Sequence, residues 1–255
     1  MNETCSILVN SCDKYHDAWH PFFTLLKKYW SQCEYKLYLN TESKSYTDYG
    51  VITLNSDSPS WTGRLIDSLQ RIESEFILFM LEDFFLMGQV DDLEIKAVVE
   101  KMKNDDSIAV VYPKRISTYS YRDDVHPEWI RMDVDKNQKY MVNCQFAIWN
   151  KKLLLDILNP GLSPWQLERE FKLPENCKYK FYCFPNGSKF SIEGDVFPYL
   201  FAIQKGYGIA QSKWLWNNKK FFKNEGVEVN YDSLGVLSYP EYLLNKLKYK
   251  LNIKH

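Results

Sequence analysis

The 255-residue chain lacks most of the short motifs by which nucleotide, metal or nucleophile chemistry announces itself. Its 10 glycines form no Gly-x-Gly-x-x-Gly and no Gly-x4-Gly-Lys-[Ser/Thr], so dinucleotide and P-loop phosphate cradles lose their main signals. No Gly-x-Ser-x-Gly elbow is present for an esterase-type nucleophile. The four histidines, at 16, 20, 126 and 255, show no His-Glu-x-x-His spacing. The six cysteines, at 5, 12, 33, 144, 177 and 183, form no Cys-x-x-Cys. Cys177 and Cys183 have no nearby histidine pair, so zinc is not indicated and reduced thiols in a cytosolic protein are the plain reading. No run approaches the roughly 20 apolar residues of a membrane span, and no basic-apolar-small leader pattern opens the chain. Basic and acidic residues number 32 and 33, for a net charge of −1. A protein that neutralises many phosphates carries a basic excess, so nucleic acid is not an expected partner.

What is present is globular: 45% hydrophobic and 25% charged residues, long enough to bury a large core. The 8 Trp, 18 Tyr and 15 Phe suit a core, and equally suit stacking on nucleobases and sugar rings. Apolar runs of strand length alternate with helical patterns. Ile7-Leu8-Val9, Tyr35 to Asn40, Val51 to Leu54, Phe76 to Leu81 and Ile108 to Tyr112 read as strands. Between them fall a helix carrying Trp19, Phe22, Phe23, Leu26 and Trp30, one capped by Ser58-Pro59-Ser60 from Trp61, and one over Asp91 to Asn104. Residues 114–139 lose all periodicity and read as an active-site loop region. Val142 to Trp149 is a strand, Lys151 to Leu158 a helix, and Ser163-Pro164-Trp165 opens a helix through Phe171. Tyr179 to Phe184 and Lys189 to Ile192 form an expected hairpin about Pro185-Asn186-Gly187. The pattern predicts an α/β protein with a mostly parallel sheet covered by helices.

In such sheets ligands bind beyond the carboxyl ends of the strands, which singles out Asn10 to Asp13 and Glu82-Asp83. Two carboxylates inside apolar sequence are costly to bury unpaired, so they face solvent, meet cations or hold a metal. A strand-end carboxylate can bind a divalent ion that bridges a nucleoside diphosphate; a solvated turn is the alternative. Asp13, beside Ser11, can accept a hydrogen bond from a base or ribose, or simply cap a turn. Arg64 can pair with the acids or with a phosphate, or be a surface arginine. Glu168 can act as a general base on a sugar hydroxyl, or only complement a helix N-terminus.

Taken in order, Ser6 to Asp13, Trp61-Thr62-Gly63-Arg64-Leu65, Phe76 to Phe85, Gln145 to Asn150 and Ser163 to Glu168 resemble a bacterial glycosyltransferase family of GT-A type, from capsule and lipopolysaccharide gene clusters. The resemblance spans about residues 5 to 215. It implies a GT-A-like, Rossmann-like single domain over 1–235, with a nucleotide-sugar half over 1–113, an acceptor half over 114–235 and a basic helical tail over 236–255. It implies transfer from a nucleotide-sugar, with UDP the expected nucleotide, to a saccharide or lipid-linked acceptor in surface polysaccharide synthesis. Ser11, Asp13, Arg64, Glu82 and Asp83 would hold the donor, and Trp165 the acceptor. Glu168 would be the base of an inverting displacement; a retaining enzyme would not need it. Glu82 and Asp83 would take the place of Asp-x-Asp and hold Mn2+ or Mg2+, although the sequence reads Glu82-Asp83-Phe84, with two adjacent acids and no third. The expected location is cytoplasmic, with peripheral contact at the inner face of the membrane through the tail: Tyr242, Leu243, Leu244, Leu247 and Leu251 fall near one helical face among lysines. Two rival readings remain, a nucleotidyltransferase of sugar activation and a non-catalytic carbohydrate-binding module. The first would show a glycine-rich loop near the N-terminus, and residues 11–16 contain no glycine.

Overall fold

The computed structural model of the chain describes residues 4–116, 119–136, 139–170, 172–174, 177–186, 191–199 and 205–250. Nine strands form one sheet: β1 (Cys5–Asn10), β2 (Lys36–Thr41), β3 (Ile52–Asn55), β4 (Phe76–Leu81), β5 (Ile108–Tyr112), β6 (Ser120–Arg122), β7 (Ile130–Met132), β8 (Ala147–Asn150) and β9 (Lys180–Cys183). Their spatial order is β3-β2-β1-β4-β8-β5-β9-β7-β6. Only β8 and β7 run against the other seven. The sheet is therefore mostly parallel and mixed, as the alternation of apolar strands and helical patterns predicts.

Strand periodicity divides the core between two faces. On β1, Ile7 and Val9 join one cluster with helices α1 (His16–Tyr29) and α3 (Asp92–Lys103). Leu8 joins the other, with α2 (Trp61–Arg71), α4 (Lys151–Ile157) and Leu167 of α5 (Pro164–Arg169). Burial on both sides explains why β1 and β4 read as unbroken apolar runs. After β1 the chain steps outward to β2 and β3, then returns through α2 to lay β4 on the other side of β1. The carboxyl ends of β1 and β4 thus meet where the winding reverses, the place at which open α/β sheets bind ligands.

Three expectations need correction. Residues 114–139 are not all loop, because β6 and β7 pair within them and extend the far edge of the sheet. The strand expected from Val142 begins only at Ala147, and residues before it turn toward the interior of the molecule. Strand β9 has no edge left for a hairpin partner, since β5 and β7 occupy both; residues 187–190 of the expected hairpin lie outside the described ones, as does Phe171 of the helix begun at Ser163. The C-terminal third adds a small sheet of β10 (Ile209–Ala210), β11 (Lys213–Leu215) and β12 (Val236–Leu237) and helix α6 (Asn218–Glu225), which have no clear periodic signature, and then α7 (Tyr239–Lys250), a helix within the expected tail. None of the six cysteines is in a disulfide. No helix among the described residues is long and apolar enough to cross a membrane.

A clamp joins the two halves. Ser60 caps α2 through Gly63 N–H, and the same hydroxyl accepts from Gly161 N–H at 3.0 Å. Thr62, fully buried, accepts from Leu162 N–H at 2.9 Å through its hydroxyl, and its own N–H donates to Leu162 C=O at 3.1 Å. A Cβ at Gly63 would stand 2.0 Å from Ser58 Oγ and 2.7 Å from the capping Ser60 Oγ, so both hydroxyls would have to move to admit one. The start of α2 is thereby fixed to the segment that leads into α5. Thr62→Val should strand the Leu162 amide and cost about 1–3 kcal/mol. Denaturant unfolding measures that loss, and Thr62→Ser should restore most of it.

Candidate functional site

A cavity of about 1110 Å³ opens at the carboxyl ends of β1 and β4. Ser11, Arg64, Glu82, Asp83, Trp165 and Glu168 all line it. Asp13 does not.

The sheet register sets one wall. Asn10 lies opposite Leu81, so the residues after β1 stand beside those after β4. Ser11 Oγ accepts from Trp19 Nε1 at 2.7 Å, which fixes the hydroxyl next to Glu82. Glu82 and Asp83 are only 6% and 8% exposed. Neither makes an ion pair with lysine or arginine among the described residues. Desolvation, and for Glu82 the neighbouring Asp83 charge as well, pushes both carboxyls upward. Asp83 Oδ2 accepts from Ile209 N–H at 3.1 Å, tying the strand end to β10. The apolar residues that follow are core: Phe84 stacks on Tyr199 at 4.6 Å and Phe85 on Trp214 at 5.8 Å. Part of the aromatic excess is therefore structural.

Asp13 has another task. Its carboxylate accepts from Thr41 Oγ1, Ser43 N–H and Oγ, and Lys44 N–H at 2.5–3.1 Å. Burial raises this carboxyl, but the hydrogen bonds outweigh it and hold it far below the usual carboxylate range. The residue organises the turn after β2. Its amide donates to Glu42, which the sequence reading did not single out.

Glu42 is the partner of Arg64. The guanidinium Nη2 lies 3.0 Å from Glu42 Oε1, and Nη1 donates to Ser58 C=O at 3.2 Å. The ion pair is thus with Glu42 and not with Glu82 or Asp83. Arg64 Nε is buried without a hydrogen-bond partner. Glu42 could have been flagged, since it follows β2 at the same edge of the sheet as Asn10 and Glu82.

A further part of the wall comes from α5 and the segment before β8. Ser163 and Gln166 form a reciprocal capping box with Pro164 in the first turn, so a six-residue helix is well defined. Trp165 stands 60% exposed at the rim, with the Arg169 guanidinium 5.0 Å from its ring centre. Glu168 is half-buried and accepts from Cys144 N–H at 3.0 Å. Burial raises its carboxyl above the ordinary value, against the pull of that amide. Glu168 C=O in turn accepts from Tyr140 N–H at 2.7 Å. Tyr140 and Gln211, both cavity residues, hold φ of 66° and 52°, a left-handed backbone that non-glycine residues rarely adopt. Such strain clusters at ligand sites, and no sequence pattern announced it here. Lys114, another wall residue missed in the sequence, pairs with buried Asp195 at 2.7 Å.

Among the described residues no cluster of three or more His, Cys, Asp or Glu side chains is arranged to hold a metal. Glu82 and Asp83 nevertheless fit one in part, as two desolvated carboxylates that no cationic side chain among the described residues balances.

The sequence matches no protein-family model and no curated protein. Solved structures similar to it include a cytidylyltransferase from Leptospira borgpetersenii serovar Hardjo-bovis (14% identity, 72% of this chain and 76% of that one, TM-score 0.42). Another is CMP:2-keto-3-deoxy-manno-octonic acid synthetase complexed with CTP (9% identity, 73% and 91%, TM-score 0.40). A third is S. aureus TarS (12% identity, 72% and 36%, TM-score 0.45). Similarity of that degree assigns neither an activity nor a ligand to this chain.

The buried acids give a signed pH dependence. Carboxyls raised by folding bind more protons folded than unfolded, so stability falls as pH rises from the unfolded carboxylate value through the folded one. In chelator-treated protein, Glu82→Gln and Asp83→Asn should each raise the thermal midpoint at neutral pH, by roughly 2–4 °C per kcal/mol relieved. Each should also flatten the decline between pH 5 and 8, as followed by scanning calorimetry.

Proposed function

We propose that the chain is a glycosyltransferase that moves a sugar from a nucleoside-diphosphate donor to a hydroxyl of a saccharide or lipid-linked acceptor. The observation that carries this reading is that Arg64, its guanidinium held by Glu42, lines the same cavity as the Glu82-Asp83 pair and Glu168. A cavity of about 1110 Å³ accommodates a nucleotide-sugar together with the reacting end of an acceptor.

Arg64 neutralises the diphosphate as it departs, and Glu42 holds its guanidinium in place. Glu82 and Asp83 are the residues that would hold Mn2+ or Mg2+, which when bound supplies further neutralisation of the leaving diphosphate. Ser11 lies against the same end of the donor. Trp165 offers an apolar face to the acceptor ring. Glu168 takes the proton from the acceptor hydroxyl, whose oxygen attacks the anomeric carbon. The bond from that carbon to the phosphate oxygen breaks, and the nucleoside diphosphate leaves with the electron pair. This is the inverting course. Burial makes the Glu168 carboxylate a stronger base than an ordinary one, and the Cys144 amide fixes its orientation. Asp13 acts indirectly here, by shaping the turn that carries Glu42.

A thermal-shift screen with UDP, GDP and CMP, with and without manganese, tests the donor site; UDP is the donor nucleotide expected. At least one nucleotide should raise the midpoint, and Arg64→Ala should weaken its binding about 10–100-fold, the value of a charged hydrogen bond. No shift with any nucleotide would overturn the reading. With the donor known, Glu168→Gln should lower transfer by about 100-fold or more at unchanged midpoint. Turnover of a nucleoside triphosphate with a sugar phosphate, releasing inorganic diphosphate, would make the chain a nucleotidyltransferase instead.

A further inference from the structure

Helix α7 presents two different faces. Inward, Tyr242 is buried, with its ring 5.8 Å from that of Trp216, and Asn245 Nδ2 donates to Gln211 Oε1 at 2.7 Å. Tyr242 and Gln211 both line the cavity, so this face of the helix is part of its wall. Outward, Pro240, Leu243, Leu244 and Leu247 recur at i, i+3, i+4 and i+7 and form one apolar stripe. The three leucines are 39%, 52% and 57% exposed. Lys246 and Lys248 fall on either side of that stripe in helical projection. From Asn245 to His255 the sequence carries Lys246, Lys248, Lys250 and Lys254 and no acidic residue. The one acid of the helix, Glu241, is turned back to accept from Ser238 N–H at 2.8 Å and Ser238 Oγ at 2.6 Å.

We propose that α7 lies on an anionic lipid surface, with its leucine stripe entering the boundary of the acyl chains and its lysines meeting the headgroups. An apolar stripe between basic flanks is the pattern of an interfacial helix, and lysine stems are long enough to reach headgroups from beside it. A second copy of the chain packed on the same face through a two-fold axis would bring the lysine rows together, which charge opposes. Because the other face of the helix walls the cavity, docking would bring the cavity close to the bilayer. The proposal does not depend on the transferase reading.

Co-sedimentation of the full chain tests it, using vesicles of phosphatidylcholine mixed with phosphatidylglycerol against phosphatidylcholine alone. The chain should sediment with the anionic vesicles, remain in the supernatant with the neutral ones, and be released as salt is raised. Lys246→Ala should weaken binding about fivefold. The double variant Leu243→Asp/Leu247→Asp should weaken it at least about tenfold, with an unchanged thermal midpoint because both side chains are exposed. Failure to sediment, or a double variant that binds like the parent, would overturn the proposal. So would a concentration-dependent dimer that the double variant abolishes, since a second copy would then cover the stripe. The nucleotide thermal shift run on the same samples reports separately on the cavity.

Discussion

Two adjacent carboxylates, desolvated at the end of a strand buried on both faces, are the constraint around which the cavity is organised. β4 is apolar through Leu81, then the chain must present Glu82 and Asp83 before Phe84-Phe85-Leu86 returns to the core. The cost of that placement is offset in part by Ser11 beside Glu82 and by the Ile209 amide on Asp83. The second contact also decides where the C-terminal third sits. Once Ile209 is tied to the strand end, β10 and β11 lie over it, Trp214 and Phe222 close on Phe85, and α7 follows as a wall. Among the described residues no cationic side chain balances the pair, so a cation bound there would relieve its charge.

The part of the wall that α5 supplies is held to α2 by neutral hydrogen bonds. Ser60 and Thr62 at the start of α2 grip Gly161 and Leu162, so the helix carrying Arg64 and the one carrying Glu168 share an anchor. The helices that carry Arg64 and Glu168 are therefore positioned by the same four residues. Glu42, Asp13 and the turn after β2 set the guanidinium in the same way from the other side.

Much of the fold was legible in the sequence because its main strands are buried on both faces and its helices on one. Ile7 to Val9, Phe76 to Leu81 and Ile108 to Tyr112 announce themselves as apolar runs, and Ser60 and Ser163 announce helix starts. The short strands β6, β7 and β10 to β12 were not legible, since two or three residues carry no period. The cavity wall was legible where a strand end marks it, at Ser11, Glu82 and Asp83, and where a capped helix marks it, at Trp165 and Glu168. Asp13 misled because a carboxylate at a strand end can serve its own turn as well as a ligand. Glu42, Lys114, Tyr140 and Gln211 escaped because their importance lies in pairings and backbone angles that arise only in three dimensions.

The proposal that this cavity takes a nucleoside-diphosphate sugar rests on where a diphosphate would lie. A crystal structure of the chain with UDP and manganese tests it most directly. The account predicts diphosphate oxygens within hydrogen-bond distance of Arg64 and beside Glu82 and Asp83, with Glu168 across the cavity from them. A nucleotide bound away from Arg64, or a cavity that stays empty at saturating UDP, GDP and CMP, would contradict it.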